Sequence, residues 1–410
     1  MKAKNWIMAA ALATAVLMAG CDNPAGNNDN GGENQTVPGQ PRTPVAGHYS
    51  FGNLTQTVGN VTAVSITPNA GVSPGAVVNI RYNGNTAVPQ AEGTFAVTFD
   101  VAAALGWYAA TNLSAGNLVV NVTNAGINWT AVEDSQLDGD IYAIAWGAGR
   151  FVAGDLYGKM AHSIDGSSWV SVGDSTFHDW IWPIAWGNDR FVAGGFRGRM
   201  AHSTNGIDWV SVVDNTFEGN DIYAIAWGNG RFVAAGGNGR IAYSMDGASW
   251  TSVEDSPFGT NDIWSIAWGN GKFVAGDHND IMAHSTDGIN WTAVEDHPFA
   301  GYRIDTITWG NDRFVAGNHN GIMAHSTNGV NWTAVEDHPL TCHIYAIAWG
   351  GGRFVAVGQN GIMAHSMDGI SWVAVEDSTF GTNDIIDITW GNNRFVAVGW
   401  NGRIAVSIGD

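Results

Sequence analysis

Two repeated sets of residues in this 410-residue chain could do chemistry. Arg150, Arg190, Arg231, Lys272, Arg313, Arg353 and Arg394 each stand directly before Phe-Val-Ala. Converging guanidinium groups can grip a carboxylate or a phosphate. His162, His202, His284, His325 and His365 each stand in Met-Ala-His-Ser, with Tyr243 and Val406 at the same place in two further copies. Converging imidazoles can hold a metal ion. A position filled alike in every copy is architecture before it is chemistry, however. Copies set side by side in a ring would hold their imidazoles too far apart to share one ion. Residues that break the repetition are better candidates. Asp305 and Asp387 are non-repeating acids, and two carboxylates could run a glycoside hydrolase or lyase reaction. Cys342 precedes His343, but consecutive residues of an extended chain point to opposite sides, so no thiol–base pair is expected. The sequence has no phosphate-binding glycine loop, no paired metal cysteines and no nucleophile elbow. No cofactor and no metal are expected, and binding is favoured over catalysis.

The elements that carry these residues come from a repeat. Trp-Gly recurs at Trp146, Trp186, Trp227, Trp268, Trp309, Trp349 and Trp390, every 40 or 41 residues. A second tryptophan recurs at Trp129, Trp169, Trp209, Trp250, Trp291, Trp332 and Trp372. The unit is clearest from Ile344 to Glu376, where four short alternating runs, a to d, are divided by Gly351-Gly352, Gln359-Asn360-Gly361 and Asp368-Gly369. Four strands per ~40 residues predict one blade of a β-propeller. The repeat region opens with a lone d strand around Trp129 and ends with a c strand at 404–407. The first strand can therefore complete the last blade, removing the open edge of the ring. The expected fold is all-β: a seven-bladed propeller over residues 125–410, closed by its N-terminal strand.

In a propeller the b–c and d–a connections share one face, and here both vary. Four residues before each Trp-Gly tryptophan stand Tyr142, Trp182, Tyr223, Trp264, Asp305, Tyr345 and Ile386, at the mouth of the expected channel. The b–c tips carry Phe196, Arg197, His278, His319 and Trp400, and Trp180, Tyr302, Arg303 and His343 add to the same rim. Aromatics beside Asn, Asp and His suit sugar stacking or a protein hot spot. The expected partner is a glycan or an envelope protein.

The c–d turn, as in Ser285-Thr286-Asp287-Gly288-Ile289-Asn290-Trp291, resembles the Asp-box of sialidase-type (BNR) propellers. In that family it is a structural hairpin away from the active site. The sialidase Arg-Ile-Pro motif is missing, and sialidase propellers have six blades. The repeat is also similar to the seven-bladed propellers related to the photosystem II stability factor. That resemblance implies a scaffold or assembly role as the alternative to a binding module.

Charged residues are only 13% of the chain, against 55 Gly and 20 Trp, which suits short strands and tight turns. The net charge of −20 argues against nucleic acid and against docking on anionic lipid. At the N-terminus, Lys2 and Lys4 precede an apolar run and then Leu17-Met18-Ala19-Gly20-Cys21, which resembles a lipobox. That implies a signal peptide at 1–20, a lipidated Cys21 and anchoring in the bacterial cell envelope; a monomer is expected. Residues 21–47, rich in Asn, Gly and Pro, read as a flexible tether. Residues 48–123 alternate as short strands and resemble the small MBG-type or Ig-like β domains of bacterial surface proteins.

Overall fold

The computed structural model describes residues 41–57, 61–89, 93–121 and 125–408. The expected signal peptide, Cys21 and most of the tether lie outside these residues.

Alternating β-branched and aromatic residues with Gly turns give seven four-stranded antiparallel sheets. In blade 1, strand a is Ile141–Gly147, b is Arg150–Asp155, c is Met160–Ser163 and d is Val170–Ser171. Blades 2 to 6 repeat this order from Ile181, Ile222, Ile263, Ile304 and Ile344. Blade 7 takes strand a from Ile385–Gly391, b from Arg394–Gly399, c from Ile404–Ile408 and d from Thr130–Val132. The a strands pack each on the next, and the seventh returns to the first. The result is a seven-bladed propeller.

The closing blade is built from both ends of the repeat region. Ile404, Ala405 and Val406 pair with Val132, Ala131 and Thr130. In blade 1 the turn after strand c is pinned by Gly166 N–H donating to Ser163 Oγ at 2.8 Å. In blade 7 the same bond runs from Gly126 N–H to Ser407 Oγ at 2.7 Å, across 281 residues.

Trp-Gly has a packing reason. The indole of each blade lies on the glycine that ends strand a of the preceding blade, Trp186 on Gly147 and so on around to Trp146 on Gly391. A Cβ on any of these glycines would overlap the ring. Each indole also meets the Phe that follows the repeated Arg or Lys, at centroid distances of 4.5–4.7 Å. Those seven phenylalanines are fully buried, and each contributes about 2–3 kcal/mol by burial.

The repeated cations are part of this frame. Arg394 Nη1 donates to Asp165 O at 2.5 Å and Lys272 Nζ to Asn328 O at 3.3 Å, each tying one blade to the c–d turn of the next. Arg150 and Arg353 lie 3.3 Å from His162 and His365 of their own blades. Burial, then the neighbouring cation, pushes both histidines below their ordinary pKa.

Ahead of the ring, Tyr49–Gly52 pairs with Ser65–Pro68. A second, four-stranded sheet sets Thr55–Thr57 parallel to Ala110–Asn121, followed by Gly93–Val101 and Val77–Tyr82. Phe99, Val97 and Leu118 form its core. Arg42 bridges to the loop before Ala110–Asn121: its N–H donates to Gly106 O, and Tyr108 N–H donates to Arg42 O.

Gly228→Ala should overpack the blade 3–4 junction against Trp268 and cost ~1–3 kcal/mol. Thermal unfolding of the full chain should drop by several degrees; an unchanged midpoint would refute the packing role given to Trp-Gly.

Candidate functional site

Strand a is the inner edge of every blade, and it carries a β-bulge near its start. In blade 1, Ile141 pairs with Asp155 and Ala143 with Gly154, leaving Tyr142 as the extra residue. The same shift frees Tyr223, Trp264, Asp305, Tyr345 and Ile386, and in blade 2 both Trp182 and Pro183. A bulge re-aims a side chain that regular alternation would place elsewhere. All seven bulged positions named from the sequence line one cavity of about 320 Å³ at the channel mouth. Pro183 is tolerated because an inner edge strand needs no ladder donor there.

The cavity is a cup. Below the bulged residues comes a tier of small side chains, Pro183, Ala224, Ser265, Thr306 and Ala346, with Asp387 in blade 7. Ile184, Ile225, Ile266, Ile307 and Ile347, one residue further along strand a, also line the cup. Asp387 Oδ2 accepts Ile144 N–H of blade 1 at 2.9 Å, and Oδ1 accepts Ile388 N–H at 2.8 Å. Burial outweighs these two bonds and pushes its pKa up to about 7.

The rim is a nearly continuous circuit. Tyr142 stacks on Trp180 at 5.1 Å, and Trp180 meets Trp182 edge-on at 5.2 Å. Trp182 meets Tyr223 at 5.0 Å, and Tyr223 stacks on Trp264 at 4.2 Å. The Arg303 guanidinium lies 4.6 Å from the Trp264 ring centroid. Arg303 Nη2 is 2.5 Å from Asp305 Oδ1, and His343 Nε2 is 3.1 Å from that same oxygen. His343 packs on Tyr345 at 3.7 Å, and Tyr345 donates its hydroxyl to Asp384 at 2.9 Å. Burial, then Asp384, raises the Tyr345 pKa. His319 reaches this cluster too, with Nδ1 3.8 Å from Asp305 Oδ2. Asp305 is only 6% exposed and is tied into an ion pair with Arg303.

The other sequence candidates lie around the cup without lining it. Phe196 meets Trp182 edge-on at 6.3 Å and carries the Arg197 guanidinium over its face. His278 and Trp400 are exposed at their tips, their N–H groups held by Asp262 O and Asp384 O. Cys342 has its thiol 3.6 Å from Gln359 O, and burial raises its pKa, so it is a poor nucleophile.

Which rim residues are free to bind follows from a rule at the blade junctions. Directly before strand a stand Asp140, Trp180, Asp221, Asp262, Arg303, His343 and Asp384 in blades 1 to 7. The four aspartates latch the preceding blade: their carboxylates accept the b–c tip N–H of Asn401, Arg197, Asn238 and Asn360 respectively, at 2.7–3.0 Å. Each latched tip follows a glycine, and the tip residue adopts φ of 55–58°. At the other three junctions strand b ends instead in Asp155, Asp277 or Asn318, each fully buried. These side chains cap their own turns, as Asp277 does for Asn279 and Ile281 N–H at 2.8 and 2.7 Å. With the turn capped from within, the next blade needs no aspartate. Trp180, Arg303 and His343 occupy those three places, and all three sit in the rim circuit. The sequence carried this signal in the match between the end of strand b and the residue ~25 places later, but only the hydrogen bonds reveal its meaning.

No protein-family profile matches the chain, and no curated protein matches it in sequence. Solved structures do resemble it in fold. YCF48 bound to a D1 peptide superposes with a TM-score of 0.57 at 16% identity, over 71% of this chain and all of that one. YCF48 from Cyanidioschyzon merolae gives 0.55 at 15%, over 68% of this chain and 98% of that one. A virginiamycin B lyase from Staphylococcus aureus, catalytically inactive and with quinupristin, gives 0.59 at 13%, over 68% and 98%. At these identities the likeness is one of fold.

Asn318→Gly should strip the acceptor from Asn320 and Ile322 N–H and cost ~1–2 kcal/mol. Adding His343→Asp should rebuild the junction in its latched form and recover most of the lost melting temperature. A double variant no more stable than Asn318→Gly alone would contradict the exchange of caps.

Proposed function

We propose that this propeller is a binding module that takes an extended segment of another protein across its aromatic rim, as a scaffold or assembly factor anchored in the bacterial envelope. The observation that carries the reading is the release of Trp180, Arg303 and His343 from turn capping and their convergence on one rim. A residue relieved of a structural duty and replaced by Trp, Arg or His at a channel mouth has the make-up of a protein hot spot. Trp180 is 38% exposed, and Trp400 at 39% stands on the same face, as surface apolar groups that a partner would cover. A protein is favoured over a glycan because the rim aromatics use their faces on one another, Tyr142 on Trp180 and Tyr223 on Trp264. Sugar stacking needs a free ring face. The fold-level likeness to YCF48, a structure of which holds a D1 peptide, supports the same choice.

The anchor rests on the lipobox-like Leu17-Met18-Ala19-Gly20-Cys21 alone. It predicts partition of the cell-derived protein into detergent, lost in Cys21→Ser.

Panning the full chain against a displayed library of linear peptides should return binders that compete with one another. Trp180→Ala, Arg303→Ala and His343→Ala should each weaken them about tenfold, or ~1.4 kcal/mol. Trp180→Ala should do so without lowering the melting temperature, whereas Arg303→Ala and His343→Ala also strip a partner from the buried Asp305 and should lower it. Met245→Ala on the opposite, c–d face should change nothing. Binders indifferent to all three rim variants would sink the site. A glycan captured on an array and lost in Trp182→Ala would replace the protein reading.

A further inference from the structure

The cup inside the rim carries a charge pattern that the rim alone does not explain. Its middle tier is neutral and small in every blade that lines it except blade 7, where Asp387 stands. The position is Ala in blades 1, 3 and 6, so nothing in the blade repeat requires an acid there. Asp387 faces a cavity walled by Tyr142, Trp182, Tyr223, Trp264 and Tyr345. Its hydrogen-bond donors among the described residues are the backbone N–H groups of Ile144 and Ile388, which leave lone pairs on both oxygens for a donor entering from the mouth. The only cation of the lining, Arg303, is already paired with Asp305. Asp140, Asp221, Asp262 and Asp384 add negative charge around the entrance, in a chain of net charge −20. An acid within an aromatic-lined well, with an acidic collar around its mouth, attracts a cation.

We propose that the cup receives one lysine or arginine side chain of the bound segment, its methylene stem against the aromatic wall and its charged head on Asp387. This deepens the reading of the rim as a protein-binding face and rests on it. The cavity of about 320 Å³ holds such a side chain with its backbone remaining on the rim. Binding would also be linked to protons. With its pKa near 7, Asp387 is mostly neutral at pH 6 and mostly ionised at pH 8, so affinity for a cation rises across that window. The other groups facing the cup are Tyr142, Tyr223, Tyr345 and Asp305 with Arg303, with His343 and Asp384 at the edge; the part due to Asp387 is the part that its replacement removes.

The probes are N-acetyl-lysine methylamide and its neutral norleucine counterpart, titrated into the full chain by calorimetry. The lysine probe should bind at least tenfold more tightly at pH 8, and its affinity should fall towards pH 6. Asp387→Ala, which installs the residue of blades 1, 3 and 6, should fold and abolish both the preference and the slope; Asp387→Asn should do the same. Equal affinity for the two probes overturns the inference. So does an Asp387→Ala protein that melts lower yet keeps the lysine preference, which would make Asp387 a pin between blades 7 and 1 only. Panned peptides that bind the rim but tolerate norleucine at every Lys and Arg remove the cup and leave the rim. Lysine-probe binding with no peptide binding removes the rim and leaves the cup.

Discussion

The structure depends on the indole of one blade lying on the strand-a glycine of the blade before it. The contact repeats at all seven junctions and ends with Trp146 on Gly391. It sets a strict condition on the chain, because a ring closes only if every junction turns by the same angle. The repeat therefore keeps Trp-Gly, the basic residue before Phe-Val-Ala and the Ser-x-Asp/Asn-Gly turn nearly fixed, and leaves function to the few positions that the contact does not govern. Closure adds the last junction from the chain's two ends, with strand Thr130–Val132 on strand Ile404–Ile408 and Gly126 N–H on Ser407 Oγ.

The tolerant positions fall on one face. The bulge in strand a lifts one residue per blade out of the ladder and into the channel mouth, where its identity is free to change. Directly before strand a, freedom is conditional: aspartate is needed only where the preceding turn cannot cap itself. The buried Asp155, Asp277 and Asn318 are thus the residues that free Trp180, Arg303 and His343 from latching, although none of them is part of the rim. Their burial is costly to an ionised carboxyl, and the Asp155 and Asp277 pKa values rise accordingly, against the lowering effect of the backbone donors they cap. The same economy appears at Asp387, where a position filled by alanine elsewhere holds an acid in the cup.

Much of this was legible in the sequence and some was not. Trp-Gly at 40–41 residues, four strand-like runs per unit and the lone first d strand point directly to seven blades and their closure, since each is a local pattern with a single geometric solution. The seven bulged residues were legible as a set, because counting back from Trp-Gly finds them. That they share a cup needed the pairing register, since simple alternation gives no reason for Tyr142 to turn inward. The junction rule was out of reach for a different reason: Asp221 and Arg197 are 24 residues apart, on different blades, and Asp387 and Ile144 are 243 apart. Phe196, Arg197, His278 and Trp400 were read as site residues from their place at turn tips, and the structure sets them around the cup rather than in its wall. His319 alone among the tip candidates reaches the polar cluster, through Asp305.

Alanine substitution of each of the seven residues before strand a tests the account most directly, with melting temperature and affinity for one panned peptide read on every variant. Replacing Asp140, Asp221, Asp262 or Asp384 should lower the melting temperature, each by the loss of a latch. Replacing Trp180 should leave it unchanged and weaken the peptide, and replacing Arg303 or His343 should do the same in an Asp305→Asn background, where no buried carboxylate is left without its partner. If all seven variants lose stability alike, or if the peptide responds to the four aspartates and not to the other three, then the division between structural and recognition junctions is wrong, and the rim is not the binding face.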